Sequence, residues 1–180
     1  FEGVRREDYT SDTAFDNAQV REQRHSYYAD SLLTRDTKLT ITGATAANPV
    51  VVTSAAHGMS NGNLVRIDDV LGMTQINYTV FKVANQAANT FELTNRDTGT
   101  NIDGSAYTAY ISGGIARLLS TAVSGLDHLE GQSVRVNADG ADHPAQTVTS
   151  GAITLDYAAA VVQVGLAYTS TLKTLARHRS

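Results

Sequence analysis

The chain has no cysteine and no tryptophan, only two prolines, and no apolar run approaching the eighteen residues that a membrane-spanning helix needs. Without cysteine there can be no disulfide, no thiolate nucleophile and no cysteine-ligated zinc, and redox compartment leaves no trace in the sequence. Charge is sparse as well: charged residues make up 18% of the 180 positions and sum to −4. Tight wrapping of nucleic acid needs clustered Lys and Arg to neutralise phosphates, so this balance disfavours it. The first residue is Phe1 and no apolar leader-like stretch follows it. The expectation is therefore a piece of a longer polypeptide, of a length that one ordinary domain or two small ones can fill.

What is present divides unevenly along the chain. Residues 1–26 mix both signs of charge and are poor in branched apolar side chains, which reads as a charged linker or a short helix around Asp12 to Gln23. From Lys38 onward Val, Ile, Thr, Ala, Asn and Gly dominate, the residues of strands and tight turns. Alternation with a period of two supports strands. Val134, Val136 and Ala138 fall on one face, as do Phe81 and Val83 with Thr79, Leu39 with Ile41, and Val162, Val164 and Leu166. Ser150-Gly151 reads as a two-residue hairpin turn and Asp139-Gly140 as a turn in which glycine takes the positive φ and Asp bonds the local backbone. Gly113-Gly114 reads as a kink inside a strand. The predicted fold is all-β, with nine or ten strands in small antiparallel barrels or sandwiches.

Chemistry-bearing residues are few. In the stretch SGLDHLEGQSV, residues 124–134, His128 and Glu130 would meet on one strand face while Asp127 faces away, and two ligands do not complete a metal site. Gly125 and Gly131 bracket them as turn positions, so Gly125, His128, Glu130 and Gly131 are read as a structural corner. Asn137 to Pro144 begins like a calcium loop and lacks the closing carboxylate. Gly58, Ser60 and Gly62 have the spacing of a nucleophile elbow, but a strand rather than a helix follows. Asp68, Asp69, Asp97 and Asp103 offer carboxylates for glycoside cleavage, with Asp68 and Asp69 on opposite strand faces. No catalytic, cofactor-binding or metal residue is assigned and no enzyme is expected. Tyr78, Tyr107 and Tyr110 form the candidate surface for a glycan or protein partner.

Two stretches resemble known families. The segment from Ala56 to Leu118 carries His57-Gly58, Asn61-Gly62, Gly72-Met73, Asn77, the run Asn89 to Leu93, and Tyr110 with Gly113-Gly114. It resembles a small β module of bacteriophage virion proteins that is related to the first-catalytic-cysteine half-domain (FCCH) of ubiquitin-activating enzymes. With no cysteine in the chain, that resemblance implies a fold and not ubiquitin chemistry. The segment from Val123 to Leu175 has the Gly125 to Gly131 corner, the Asp139-Gly140 turn and the ending Val164 to Ser170. It resembles the C-terminal β region of the tail nozzle or tubular proteins of short-tailed phages, departing from them at Ala167, where Pro is usual.

In that second family, a strand like YYADSLLT runs almost directly into the corner. The resemblance therefore implies an insertion: residues 27–40 and 118–176 as one discontinuous β domain, and 41–117 as an FCCH-like domain set into it. Insertion at an exposed turn is well tolerated. The resemblance further implies a virion protein of the phage tail, in a nozzle, tube or hub. It would form a symmetric homo-oligomeric ring, a hexamer among the orders open to it, and contact other tail proteins. DNA would at most pass through a lumen, without specific binding, and no membrane insertion or cofactor is expected. The alternative is a receptor- or glycan-binding module of such a tail.

Overall fold

The computed structural model describes residues 30–167. The expected helix around Asp12 to Gln23, the linker 1–26 and the chain beyond Ala167 lie outside the described residues. Within them the protein is all-β, with thirteen strands: β1 (Asp30–Asp36), β2 (Lys38–Thr40), β3 (Gly43–Ala44), β4 (Val51–Thr53), β5 (Leu64–Leu71), β6 (Thr79–Ala84), β7 (Thr90–Asn95), β8 (Ser112–Leu118), β9 (Ser120–Ser124), β10 (Ser133–Ala138), β11 (Ala141–Thr147), β12 (Ala152–Ala159) and β13 (Val161–Leu166). The sequence reading of nine or ten strands fell short because pieces of two or three residues, such as β3 and β4, are too short to show a period.

One antiparallel sheet of seven strands runs in the order β2-β8-β5-β6-β7-β4-β3. Its two ends are successive parts of one segment. β2 pairs with β8 and β3 with β4, and the exchange occurs where Ile41 N–H donates to the Gly114 carbonyl and Thr42 N–H to that of Thr53. The sheet curls until its ends share a segment, but β2 and β3 do not pair with each other, so the barrel stays open, within the antiparallel barrel or sandwich class expected. A segment this short changes neighbour halfway along instead of serving both neighbours over its whole length.

Inside the curl lies an apolar core with Ile41, Val50, Val52, Met59, Val65, Ile67, Val70, Met73, Ile76, Phe81, Val83, Phe91, Leu93 and Ala116 buried. Val51 and Ile115 are only partly buried, and their neighbours Val50, Val52 and Ala116 point inward. In an unbroken run such as Val50–Val52 alternation cannot tell which residues face in, and at Ile115 the preceding glycines reset the face. Gly114 sits at φ +101, and a Cβ there would reach Val70 Cγ2 at 2.5 Å. Any larger residue would be strained twice, in its backbone and against the core.

The second core gathers Val123, Leu126, Leu129, Val134, Val136, Ala138, Val148, Ile153, Leu155, Ala159, Val162 and Val164. It lies with a four-stranded sheet in the order β1-β13-β10-β11 and a two-stranded ribbon of β12 and β9. The predicted inward set Val134, Val136 and Ala138 is buried as expected. Ser150 and Gly151 both have positive φ and close a tight turn between Thr149 and Ala152. The hairpin expected around that turn does not continue, because β12 pairs with β9 and not with β11. His143, buried on β11, joins the two strands instead: its Nε2 accepts from Asp156 N–H of β12 at 3.0 Å.

The two cores meet at two single-residue crossings. Thr37 separates β1 from β2, and Leu119 separates β8 from β9. Lys38–Thr40 belongs to the seven-stranded sheet through its pairing with β8, and Leu118 packs against that core. The change of sheet therefore falls at Thr37 and Leu119, a few residues outside the expected boundaries of 41 and 117.

Candidate functional site

Arg66 on β5 and Arg117 on β8 are direct cross-strand partners. Like charges placed opposite one another on a sheet repel, and this pair is tolerated because Asp68 lies between them, only 3% exposed. Arg66 Nε donates to both Asp68 oxygens at 3.1 and 3.2 Å, and Arg117 Nη1 donates to Asp68 Oδ2. The remaining donors extend the chain outward. Arg117 Nε reaches Asp36 Oδ1 at 2.8 Å, Lys38 stands 3.4 Å from Asp36 Oδ2, and Arg66 Nη1 reaches Asp139 Oδ1 at 3.1 Å.

Asp139 is held from its other side. It sits at φ +51 in the β10–β11 turn, and its carboxylate accepts from Ala160 N–H at 3.0 Å and Val161 N–H at 2.9 Å. The expected local role of this side chain is taken by Asn137, whose Oδ1 accepts from Gly140 N–H. Arg35 completes the cluster by donating to the Ala159 carbonyl and the Leu118 carbonyl, each at 3.2 Å. The network thus ties β1, the seven-stranded sheet and the β10–β11 hairpin together. Burial works against the charge of Arg117, but its bonds to Asp36 and Asp68 outweigh that and raise its pKa. For Arg35 burial dominates and lowers the pKa, with Asp36 and Asp139 partly offsetting it.

Sequence reading missed this cluster. Its members span residues 35 to 139, and the signal, two arginines in mid-strand, becomes one only when the pairing of β5 with β8 is known. Of the carboxylates weighed for glycoside cleavage, Asp68 is committed to the two arginines, whereas Asp69 faces outward and accepts from the Tyr78 hydroxyl at 2.7 Å. The structure does not bring these two carboxylates to one point.

The Gly125–Gly131 corner is a 3-10 turn at Asp127–Leu129, anchored by buried Leu126 and Leu129. Glu130 secures it: its two oxygens accept from Ser150 N–H at 3.0 Å and Gly151 N–H at 2.8 Å. His128 does not share that task. It is exposed, and its Nε2 lies 3.5 Å from the Ser31 carbonyl, at the outer limit of a hydrogen bond. His128 and Glu130 thus play separate parts in the corner, since a 3-10 turn separates residues that a strand would have placed side by side. Gly125 and Gly131 both take positive φ, as their turn positions require.

The tyrosine surface also changes. Tyr107 and Tyr110 pack against the first core, and the Tyr110 hydroxyl donates to main-chain carbonyls, lying 3.1 Å from Ile41 O and 2.9 Å from Gly113 O. Only Tyr78 of the three is exposed, at 55%; Leu71 and Ile111 are also exposed, at 57% and 74%. Aromatics that look available in sequence fold inward when their hydroxyls can satisfy strand-end carbonyls.

His57 is a buried structural residue. Its Nδ1 accepts from Met59 N–H at 3.1 Å, its Nε2 lies 3.2 Å from the Thr90 carbonyl, and its ring meets Phe91 edge-on. These partners select the neutral tautomer with the proton on Nε2.

Comparison with known families is consistent with this geometry over part of the chain. Residues 47–119 match the model of the ubiquitin-activating enzyme E1 FCCH domain, less than half of the chain and five of the seven strands of the large sheet, β4 to β8. No curated protein matches the chain.

Proposed function

We propose that this chain is a structural, non-enzymatic component of a bacteriophage tail, in a nozzle, tail tube or hub. It assembles as a symmetric ring within the virion and contacts neighbouring tail proteins. The observation that carries the reading is the way an FCCH-like sheet is set into a second β unit, through the two single-residue crossings at Thr37 and Leu119. That is the arrangement implied by the resemblance to tail nozzle proteins, whose corner and turn motifs lie in the second unit. The ion-pair cluster at the junction supports the same reading, because it uses its charges to join the units and not to hold a substrate.

A second reading, a receptor- or glycan-binding module, draws on the exposed side chains of Tyr78, Leu71 and Ile111 in the inserted unit. Native mass spectrometry with negative-stain imaging tests the first. Closed rings whose mass is a whole multiple of 19.2 kDa are expected. A species that stays monomeric at high concentration and binds host-surface glycans through Tyr78 would replace the first reading with the second.

A further inference from the structure

We infer that the Arg66–Asp139 ion pair is a latch that sets the angle between the two β units. Among the described residues, the backbone crosses between the units only at Thr37 and Leu119. These crossings lie side by side, since Lys38 and Arg117, their neighbours on β2 and β8, are cross-strand partners. Two adjacent antiparallel crossings make a ribbon, and a ribbon bends about the line across its width. Backbone pairing at the crossings, such as Leu119 N–H to the Leu64 carbonyl, does not oppose that bend.

Opposing it requires a tie away from the crossings. Arg35, bonded to the Leu118 carbonyl, and Arg117, bonded to Asp36, both act at the crossings themselves. Arg66 instead reaches from β5 to the tip of the β10–β11 hairpin. Both ends of this tie are fixed. Asp68 holds the Arg66 guanidinium from one side, and the N–H groups of Ala160 and Val161 hold the Asp139 carboxylate from the other. A side chain gripped at each end transmits displacement between the sheets, whereas a freely rotating surface pair would not.

The absence of cysteine permits a clean test. Spin labels on Thr98→Cys and Ala145→Cys, exposed positions of the two units, report the distance between them by pulsed electron resonance on the full chain. Asp139→Asn keeps a residue that tolerates positive φ and one acceptor oxygen, and removes the charge that Arg66 grips. Arg66→Gln removes the other end and leaves Asp68 paired with Arg117. A narrow distance distribution is expected without these changes, and a broadened or shifted one with either, while amide spectra show both cores intact. If Asp139→Asn disturbs the hairpin, Arg66→Gln alone decides. Distributions that stay narrow and unshifted in the folded variants overturn the latch.

Discussion

The side-chain amide of Asn77 grips both backbone groups of Val70: Nδ2 donates to the Val70 carbonyl and Oδ1 accepts from the Val70 N–H, each at 2.9 Å. β6 begins only at Thr79, so this stretch of β5 has no strand on that side, and one side chain stands in for it. Asn77→Ala leaves two polar groups of a buried residue without partners. It is expected to cost about 2 kcal/mol, read as a lowered urea midpoint with an unchanged slope. Asn77→Asp, which keeps the acceptor half and adds a charge facing a carbonyl, is expected to be no better.

At the corner, the roles of Glu130 and His128 separate under mutation. Glu130→Ala removes the acceptor of two turn N–H groups and, with solvent able to replace part of it, is expected to lower stability by about 1 kcal/mol. His128→Ala is expected to stay within about 0.5 kcal/mol of the parent. Thermal melts of the two variants side by side check this; a larger loss at His128 would return the corner to that residue.

Asp68 is the shared anion of two arginines that face each other across β5 and β8. Asp68→Asn preserves its shape and leaves two largely buried guanidinium groups in mutual repulsion, for an expected loss of about 3 kcal/mol. Asp36 and Asp139 remain and offset part of the repulsion, but the loss should still grow at low ionic strength, where repulsion is least screened. Denaturant titrations at low and high salt measure both effects.

His57→Phe keeps the ring against Phe91 but strands the Met59 N–H, while the Thr90 carbonyl retains its bond from Ala87 N–H. The expected cost is about 1–2 kcal/mol. A variant as stable as the parent would show that ring packing alone retains the residue.

The segment 38–119, expressed alone, contains the seven-stranded sheet and the whole first core. It is expected to fold independently and give dispersed amide signals, with stability below that of the full chain because Arg66 and Arg117 lose Asp139 and Asp36. Collapsed, undispersed signals would show that its fold depends on the second unit.

What the sequence determined by itself was local. Alternation placed Val134, Val136 and Ala138, and Phe81 with Val83, on buried faces, because strand period is a property of neighbouring residues. Asp139-Gly140 and Ser150-Gly151 marked turns and the pair Gly113-Gly114 a kink, because positive φ is a local demand. What only the tertiary structure decided was pairing. Nothing near Arg66 in sequence shows that Arg117 lies across from it, that Asp68 must then sit between them, or that Asp139 closes the chain of charges. Likewise, β12 follows a tight turn after β11 but pairs with β9, and Tyr107 and Tyr110 turn inward because an apolar core awaits both and main-chain carbonyls await the Tyr110 hydroxyl. Charges and hydroxyls choose partners through space, and that choice is made only when the sheets have assembled.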